Sequence, residues 1–369
     1  MYLNSLHLLN FKNYAEAQID FSRGVNCLTG NNASGKTNIL DAIYYLSMCS
    51  SYFTSTDYQN IRHDENFFMI KGEFELNNMP ESILCSLKEG QKKQFKRNQK
   101  EYERLHEHIG LLPVVIAAPV DQELITEGSE VRRKFLNSMI AQIDKLYLKD
   151  LLSYNRILAH RNALLKQFAA SGVFDSPSLL VWDEQLTALG EIIHKKRKKF
   201  IEDFLLLFAK FYRYIADDEE DAGIKYESQL DGNDFSALLK NVLEKDRALQ
   251  YSTTGIHKDD LNFTIGGVSA KKFGSQGQQK SFVIALKLAH FATIKKHKNL
   301  RPVFMFDDLF DKLDDDRVSK ILNMVQDDLF GQVFITDAHK ERLKRILNEF
   351  DIPFHSYHVE KGNVLMETI

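Results

Sequence analysis

An α/β fold with a mixed sheet core, an antiparallel β subdomain and an inserted all-helical arm is the architecture this sequence predicts, on three observations. Gly24–Thr29 reads as a strand, and Asn38–Leu46 reads as an amphipathic helix. Between them, Gly30-Asn31-Asn32-Ala33-Ser34-Gly35-Lys36-Thr37 fits G-x-x-x-x-G-K-[ST], the phosphate-binding P-loop. Nearer the C-terminus, Val303–Phe306 and Gln332–Thr336 are short hydrophobic strands, each followed by a helix, an alternation that implies parallel core strands. From about Ser129 to Ala216, by contrast, strand signals vanish and leucines recur at helical spacing with charges between them.

Composition sets the outer limits. A chain of 369 residues, 44% hydrophobic and 27% charged, has room for two or three domains and ample core. Its apolar runs, such as Phe204–Ala209, are too short to span a bilayer, and Phe11–Tyr14 interrupts any signal-peptide core. A cytoplasmic protein without a membrane segment is therefore expected. Cys27, Cys49 and Cys85 have neither zinc-site nor disulfide spacing and read as buried thiols in a reducing compartment. The net charge is −3, so binding to nucleic acid would have to come from a local patch.

In chain order, residues 2–30 supply two or three short strands leading into the loop, and Asp41 lies on the helix after it. Phe67–Leu76 and Ser82–Leu87 alternate as antiparallel strands, Lys88–Gln91 is a candidate hairpin turn, and the strand Lys92–Arg97 is basic. Val114–Ala118 reads as a buried strand stopped by Pro119. Helices are expected near 129–147, 148–170 and 178–213, without the sustained heptads of a long coiled coil. Asp217–Asp221 is an acidic linker, followed by a strand at 223–228, a helix at 233–249, a strand pair around Gly266-Gly267 and a helix at 276–297. The expected domains are a head at 1–122 and 223–369, interrupted by an arm at 123–222.

The chemistry follows from the parts. Glycines let backbone wrap closely round phosphate, and N–H groups at a helix start favour anions. Gly30, Asn31, Asn32, Ala33, Ser34, Gly35, Lys36, Thr37 and Asn38 are therefore expected to bind a nucleotide, with Lys36 on the β- and γ-phosphates and the Thr37 hydroxyl on Mg²⁺. Pro302–Asp308 is a buried strand ending in two carboxylates, the Walker B form: Asp307 would hold Mg²⁺, and Asp308 would orient or deprotonate the attacking water. Lys36, Asp307 and Asp308 are thus the candidate catalytic residues, and Thr37 and Asp307 the candidate metal ligands. Ser275 is a good N-cap, and Gly274 and Gly277 leave the helix start open. Ser275, Gln276, Gly277 and Gln278 thereby read as a second anion site.

Phe273–Lys280 lies about thirty residues before the Walker B strand, and there it resembles the signature of ABC-type ATPases. Further segments make the chain resemble the RecF family of ABC/SMC-like ATPases: Leu9–Tyr14, Gly128–Leu136, Tyr154–Lys166, Trp182–Leu186, Gly255–Leu261 and Ala285–Ala289. Ser275–Gln279 is similar to the RecF form of the signature, and Asp311–Asp314 to its D-loop. The resemblance implies an ABC-type P-loop ATPase head with ATP and Mg²⁺ as cofactors. It also implies an ATP-dependent homodimer in which each signature meets the γ-phosphate held by the other copy. Such a dimer would clamp double-stranded or gapped DNA, reopen on slow hydrolysis and, with RecR and RecO, assist recombinase loading at single-strand gaps. The pattern departs at Ala33, Asp41, Ile256–Lys258 and Asp311. A γ-phosphate-sensing His often follows a strand like Val333–Thr336; here Asp337 holds that place, and His339 reads as an exposed helix start.

Basic clusters at Lys92–Lys100, His194–Lys199 and Lys295–Lys298 could be solvated faces or phosphate contacts, and Arg132-Arg133 could touch DNA or tie the arm to the head. Three rivals are weaker. A metabolic P-loop kinase would lack the signature, a transporter subunit would need a membrane partner, and another SMC-like DNA-bridging ATPase would carry a long coiled coil.

Overall fold

The computed structural model describes residues 1–216, 221–308, 315–326 and 329–367. The D-loop-like Asp311–Asp314 and linker residues 217–220 lie outside them. The described residues form two compact units. The first lies within Met1–Gln122, Lys210–Glu220 and Ser275–Ile369, the second within Glu123–Ala209 and Asp221–Gly274. No helix among the described residues is long and apolar enough to cross a membrane.

The first unit opens with strands β1 (Tyr2–Phe11), β2 (Tyr14–Asp20), β3 (Val25–Thr29), β4 (Phe67–Leu76), β5 (Met79–Lys88), β6 (Gln94–Arg97), β7 (Lys100–Glu101) and β8 (Val114–Ala117). An antiparallel sheet runs β2-β1-β4-β5-β6-β7. Its strands β4 and β5 alternate buried and half-buried residues, as expected of a sheet with one face on the core. β3 and β8 belong instead to a second sheet and are themselves buried throughout, the mark of parallel strands covered on both faces. The helix α1 (Lys36–Met48) packs against β4 and β5 of one sheet and β8 of the other through Ile39, Leu40, Ile43 and Leu46. Gly72 on β4 permits the approach: a Cβ there would lie 2.6 Å from Leu46 Cδ1.

The second unit holds α2 (Glu123–Thr126), α3 (Ser129–Ile143), α4 (Lys145–Ser171) and most of α5 (Ser176–Ala216). It also holds a small antiparallel sheet, β11-β10-β9, from β9 (Ala222–Glu227), β10 (Asp260–Ile265) and β11 (Val268–Ser269). The sequence reading ends the arm at 222 and calls it all-helical; the unit instead continues to Gly274. Buried charge explains why. Arg197 is 1% exposed and donates to Asp259 Oδ2 at 2.6 Å and to the Ile256 carbonyl at 2.7 Å. Arg161 is fully buried against Asp246 at 2.6 Å and Asp183 at 2.5 Å. Arg132 forks onto Asp260, and Arg133 donates to the Asp259 carbonyl, so this pair serves the unit's interior. The helix expected at 233–249 is broken at Val242 into α6 (Phe235–Asn241) and α7 (Leu243–Leu249). The short α8 (Ala270–Phe273) closes the unit.

The chain then completes the first unit with α9 (Gln276–Lys298), β12 (Val303–Phe306), α10 (Asp315–Gln326), β13 (Val333–Asp337), α11 (Lys340–Glu349), β14 (Phe354–Glu360) and β15 (Asn363–Glu367). The core sheet order is β15-β14-β3-β13-β12-β8, parallel except for the edge strand β15. The sequence reading did not anticipate β14, which flanks the loop-bearing β3 directly.

Asp259→Ala would leave the Arg197 guanidinium buried without its carboxylate. Urea unfolding followed on the second unit is expected to show a loss of about 3–5 kcal/mol; a loss under about 1 kcal/mol would mean the pair is dispensable.

Candidate functional site

The loop Gly30–Gly35 joins β3 to α1, and its shape depends on two glycines. Gly30 has φ +146°, and a Cβ there would stand 2.2 Å from the Val359 carbonyl oxygen of β14. Gly35 has φ +121°, and a Cβ would stand 2.7 Å from both Asn13 Nδ2 and the Tyr14 hydroxyl. Ala33 adopts φ +63°, a conformation that costs a non-glycine residue about 1–2 kcal/mol. The departure from pattern noted at Ala33 therefore falls on a strained position.

Lys36 is 5% exposed, and its ammonium donates to the carbonyls of Gly30 at 2.7 Å and Asn31 at 3.0 Å. The buried Ser34 hydroxyl has no hydrogen-bond partner among the described residues. A buried cation on two neutral carbonyls, an orphaned hydroxyl and a glycine-lined turn at a helix start fit a triphosphate.

Asn13 and Tyr14, at the turn between β1 and β2, hold the loop from outside. Asn13 Nδ2 donates to the Ser34 carbonyl at 2.9 Å and Asn38 Nδ2 donates to Asn13 Oδ1 at 2.7 Å. The Tyr14 hydroxyl donates to the Gly35 carbonyl at 3.0 Å. The sequence reading gave these two no role. Their one local signal is an asparagine at a tight turn, and what they grip lies 21 residues away.

The parallel pairing of β12, β13 and β3 brings the Walker B end to the loop. Thr37 Oγ1 donates to Asp307, 2.9 Å from Oδ1 and 3.1 Å from Oδ2. This oxygen set, one hydroxyl and one carboxylate, suits Mg²⁺. Thr336 on β13 also escaped the sequence reading. Its hydroxyl donates to Asp307 Oδ1 at 2.9 Å and accepts the Asp308 N–H at 2.8 Å, which secures Asp308 at φ +48°. Burial pushes the Asp307 carboxyl up to about 6, against the hydrogen bonds from Thr336 and Thr37 that favour its ionised form. Asp337 is buried and accepts from the His339 N–H and from Arg342 Nη2 at 2.9 Å, while His339 is exposed just before α11.

Ser275–Gln278 stands at the start of α9. Ser275 Oγ accepts the Gln278 N–H at 3.2 Å, and Gln278 Oε1 accepts the Ser275 N–H at 2.6 Å, a complete capping box. Ser275 and Gln276 are exposed. Gly277 faces Arg317, whose Nη1 would lie 3.4 Å from an added Cβ. The structure thus brings Gly30–Asn38 together with Asp307 and Asp308, and leaves Ser275 and Gln276 exposed at the start of α9.

The basic clusters are largely neutralised. Lys93 turns inward onto Asp57 at 2.7 Å and the Cys49 carbonyl at 2.6 Å, and Arg97 pairs with Glu81. Lys196 lies 3.1 Å from Asp144, Lys198 2.6 Å from Asp231 and Lys199 3.1 Å from Asp203. Lys92, Lys100, Lys195 and Lys296 stay exposed.

The sequence matches the family described as RecF/RecN/SMC N terminal domain over residues 2–361. A protein of Flavobacterium johnsoniae named "DNA replication and repair protein RecF" is 50% identical over 347 residues, covering 94% of this chain and 97% of the relative. A protein of the same name from Phocaeicola vulgatus is 45% identical over 366 residues, covering 99% and 98%. The solved structure of "the recombination mediator protein RecF-ATP in RecFOR pathway" superposes with TM-score 0.90 at 30% identity, covering 100% of this chain and 98% of that one. An Smc head domain derived from Pyrococcus furiosus, at 16% identity and TM-score 0.56, shares the fold.

Gly35→Ala would drive a methyl group into Asn13 and Tyr14. Equilibrium binding of a fluorescent triphosphate is expected to weaken at least a hundredfold, about 2.7 kcal/mol; binding within threefold of the unaltered chain would contradict this account of the loop.

Proposed function

The chain belongs to the RecF/RecN/SMC N terminal domain family, and from that premise we propose that it is a RecF-like, ATP-dependent DNA-binding protein of the cytoplasm. One copy pairs head to tail with another, and the pair closes on double-stranded or gapped DNA. The observation that carries the reading is the exposure of Ser275 and Gln276. A phosphate loop joined to a Walker B carboxylate, with Thr37 and Asp307 2.9 Å apart, stands in one unit with a capped helix start whose first two residues are open to solvent. A second copy can supply such a helix start to the first copy's nucleotide.

Each residue then has a task. Lys36 exchanges two neutral carbonyls for phosphate oxygens, a stronger, charge-assisted interaction. Thr37 and Asp307 hold Mg²⁺, which when bound neutralises phosphate charge. Asp308, fixed by Thr336, accepts a proton from the attacking water. Ser275 and the N–H groups of Gln276 and Gly277 meet the γ-phosphate on the partner copy. Asn13 and Tyr14 keep the loop open in the shape the phosphates need. Hydrolysis is slow and regulatory, since its output is reopening of a clamp and not a metabolic product. Lys92, Lys100, Lys195 and Lys296 are the exposed lysines of the basic clusters left for DNA phosphate. Membership of the family and the RecFOR pathway named for the RecF-ATP structure support a role in recombinase loading with RecR and RecO.

Two substitutions test the reading together. Ser275→Arg should abolish ATP-dependent dimers in sedimentation velocity while ATP still binds, and normal dimers would refute head-to-tail pairing. Asp308→Asn should lower phosphate release at least tenfold with ATP affinity within threefold; unchanged release would remove Asp308 from the chemistry.

A further inference from the structure

Two segments prominent in the sequence, Tyr154–Lys166 and Trp182–Leu186, take no part in the site described above. Both lie in the second unit, on α4 and α5. Their inward residues hold the unit together. Tyr154, Ile157, Arg161 and Leu165 recur at helical spacing and are buried, and Asp183 meets Arg161 at 2.5 Å. Packing does not account for the outward ones: Asn155, Arg156, His160, Ala163 and Lys166 are exposed.

The outer side of α4 carries a surplus of positive charge. The helix has one acid, Asp150, and Lys196 meets it at 3.4 Å. Lys149, Arg156 and Lys166 are exposed and make no ion pair among the described residues. Helical spacing spreads these cations along the chain, so no basic run marks them in the sequence. Lys149 and Arg156 lie two turns apart on one line of the helix, and His160 follows one turn later. From Lys149 to Lys166 the helix covers about 25 Å at 1.5 Å per residue, ~7 nucleotides of one strand at 3.4 Å each. A planar surface stands beside them. The His160 ring stacks on Trp182, with centroids 4.7 Å apart and 19° between the planes. Trp182 is half-buried and His160 is exposed, so the pair presents an aromatic ring to solvent. Exposed cations on a helix are by default a solvated face. An aromatic ring among them changes that balance, because cations for phosphate and a π-face for a base are together what a single strand requires. A duplex keeps its bases stacked on one another and leaves such a ring unused.

We propose that this face of the second unit binds single-stranded DNA: Lys149, Arg156 and Lys166 hold the backbone, and one unpaired base stacks on the His160–Trp182 pair. The inference rests on the DNA-binding reading above and deepens it, since it names the strand form that the second unit takes. It reads no sequence, because every base has a π-face and the cations meet only phosphate.

Trp182 is the one tryptophan of the chain, so its fluorescence reports directly on this contact. The full chain is titrated, with and without ATP, with an oligothymidylate of about 10 nucleotides. Affinity is read in parallel from the anisotropy of the labelled oligomer. Binding is expected to quench Trp182. His160→Ala weakens binding at least fivefold, the loss of about one stacked base, and His160→Phe, which keeps a planar ring, restores it. Lys149→Gln together with Arg156→Gln lessens the slope of log K against log salt by about 1.4, the share of two phosphate contacts on a single strand. Unchanged fluorescence on binding, equal affinity in His160→Ala, or a blunt duplex that quenches Trp182 as strongly as the single strand overturns the proposal. Binding of duplex alone defeats this proposal and leaves the DNA-binding reading standing; binding of neither form, with or without ATP, defeats both.

Discussion

Because β13 pairs in parallel with β3 on one side and β12 on the other, three strand ends that are far apart in sequence finish side by side. The loop leaves β3, Asp307 and Asp308 leave β12, and Thr336 stands near the end of β13. Thr37 and Asp307 meet across 270 residues of chain only through this register. A slip of one residue would turn the carboxylates toward the opposite face of the sheet. Parallel strands need long crossovers, and the chain spends its crossovers on α9, α10, α11 and the whole second unit. Ligand sites at the carboxyl ends of parallel strands are general in open α/β sheets, and the loop follows that rule.

Buried charge is then handled in two opposite ways. Within the second unit, Arg161 and Arg197 each meet at least one buried carboxylate and a hydroxyl, with only Arg161 Nη2 and Asp259 Oδ1 of these pairs left without a partner among the described residues. At the loop, among the described residues, Lys36 bonds to carbonyls and to no carboxylate and the Ser34 hydroxyl has no partner, and burial holds Asp307 at about 6. Under-matched groups of this kind are what a binding site requires, since the anion and the cation arrive with the ligand.

The parts legible in the sequence were those whose chemistry is local. Spacing alone located the loop, the carboxylate pair after Val303–Phe306 and the N-cap at Ser275, because each depends on neighbours within a few residues. The β subdomain and the three long helices were legible from period for the same reason. What escaped depends on distant partners. Asn13, Tyr14 and Thr336 are ordinary polar residues until folding sets them against Ser34, Gly35 and Asp307. The run His194–Lys199 looks like a basic face, but Arg197 points inward to Asp259 and its neighbours find carboxylates. Strand signals after 223 were read correctly as strands, but no local rule says that Asp246 on α7, Asp259 and Asp260 answer the arginines of the arm.

The central claim is that a working site is assembled from two copies, the loop of one and the signature of the other. Mixing two inactive variants tests it directly. Gly35→Ala has a faulty loop and a sound signature, and Ser275→Arg the reverse, so a mixed dimer contains one site with both parts sound. ATP turnover in the equimolar mixture, measured by phosphate release, is predicted to rise well above that of either variant and to approach one active site per mixed dimer. Turnover no greater than the average of the two variants alone would contradict a shared site.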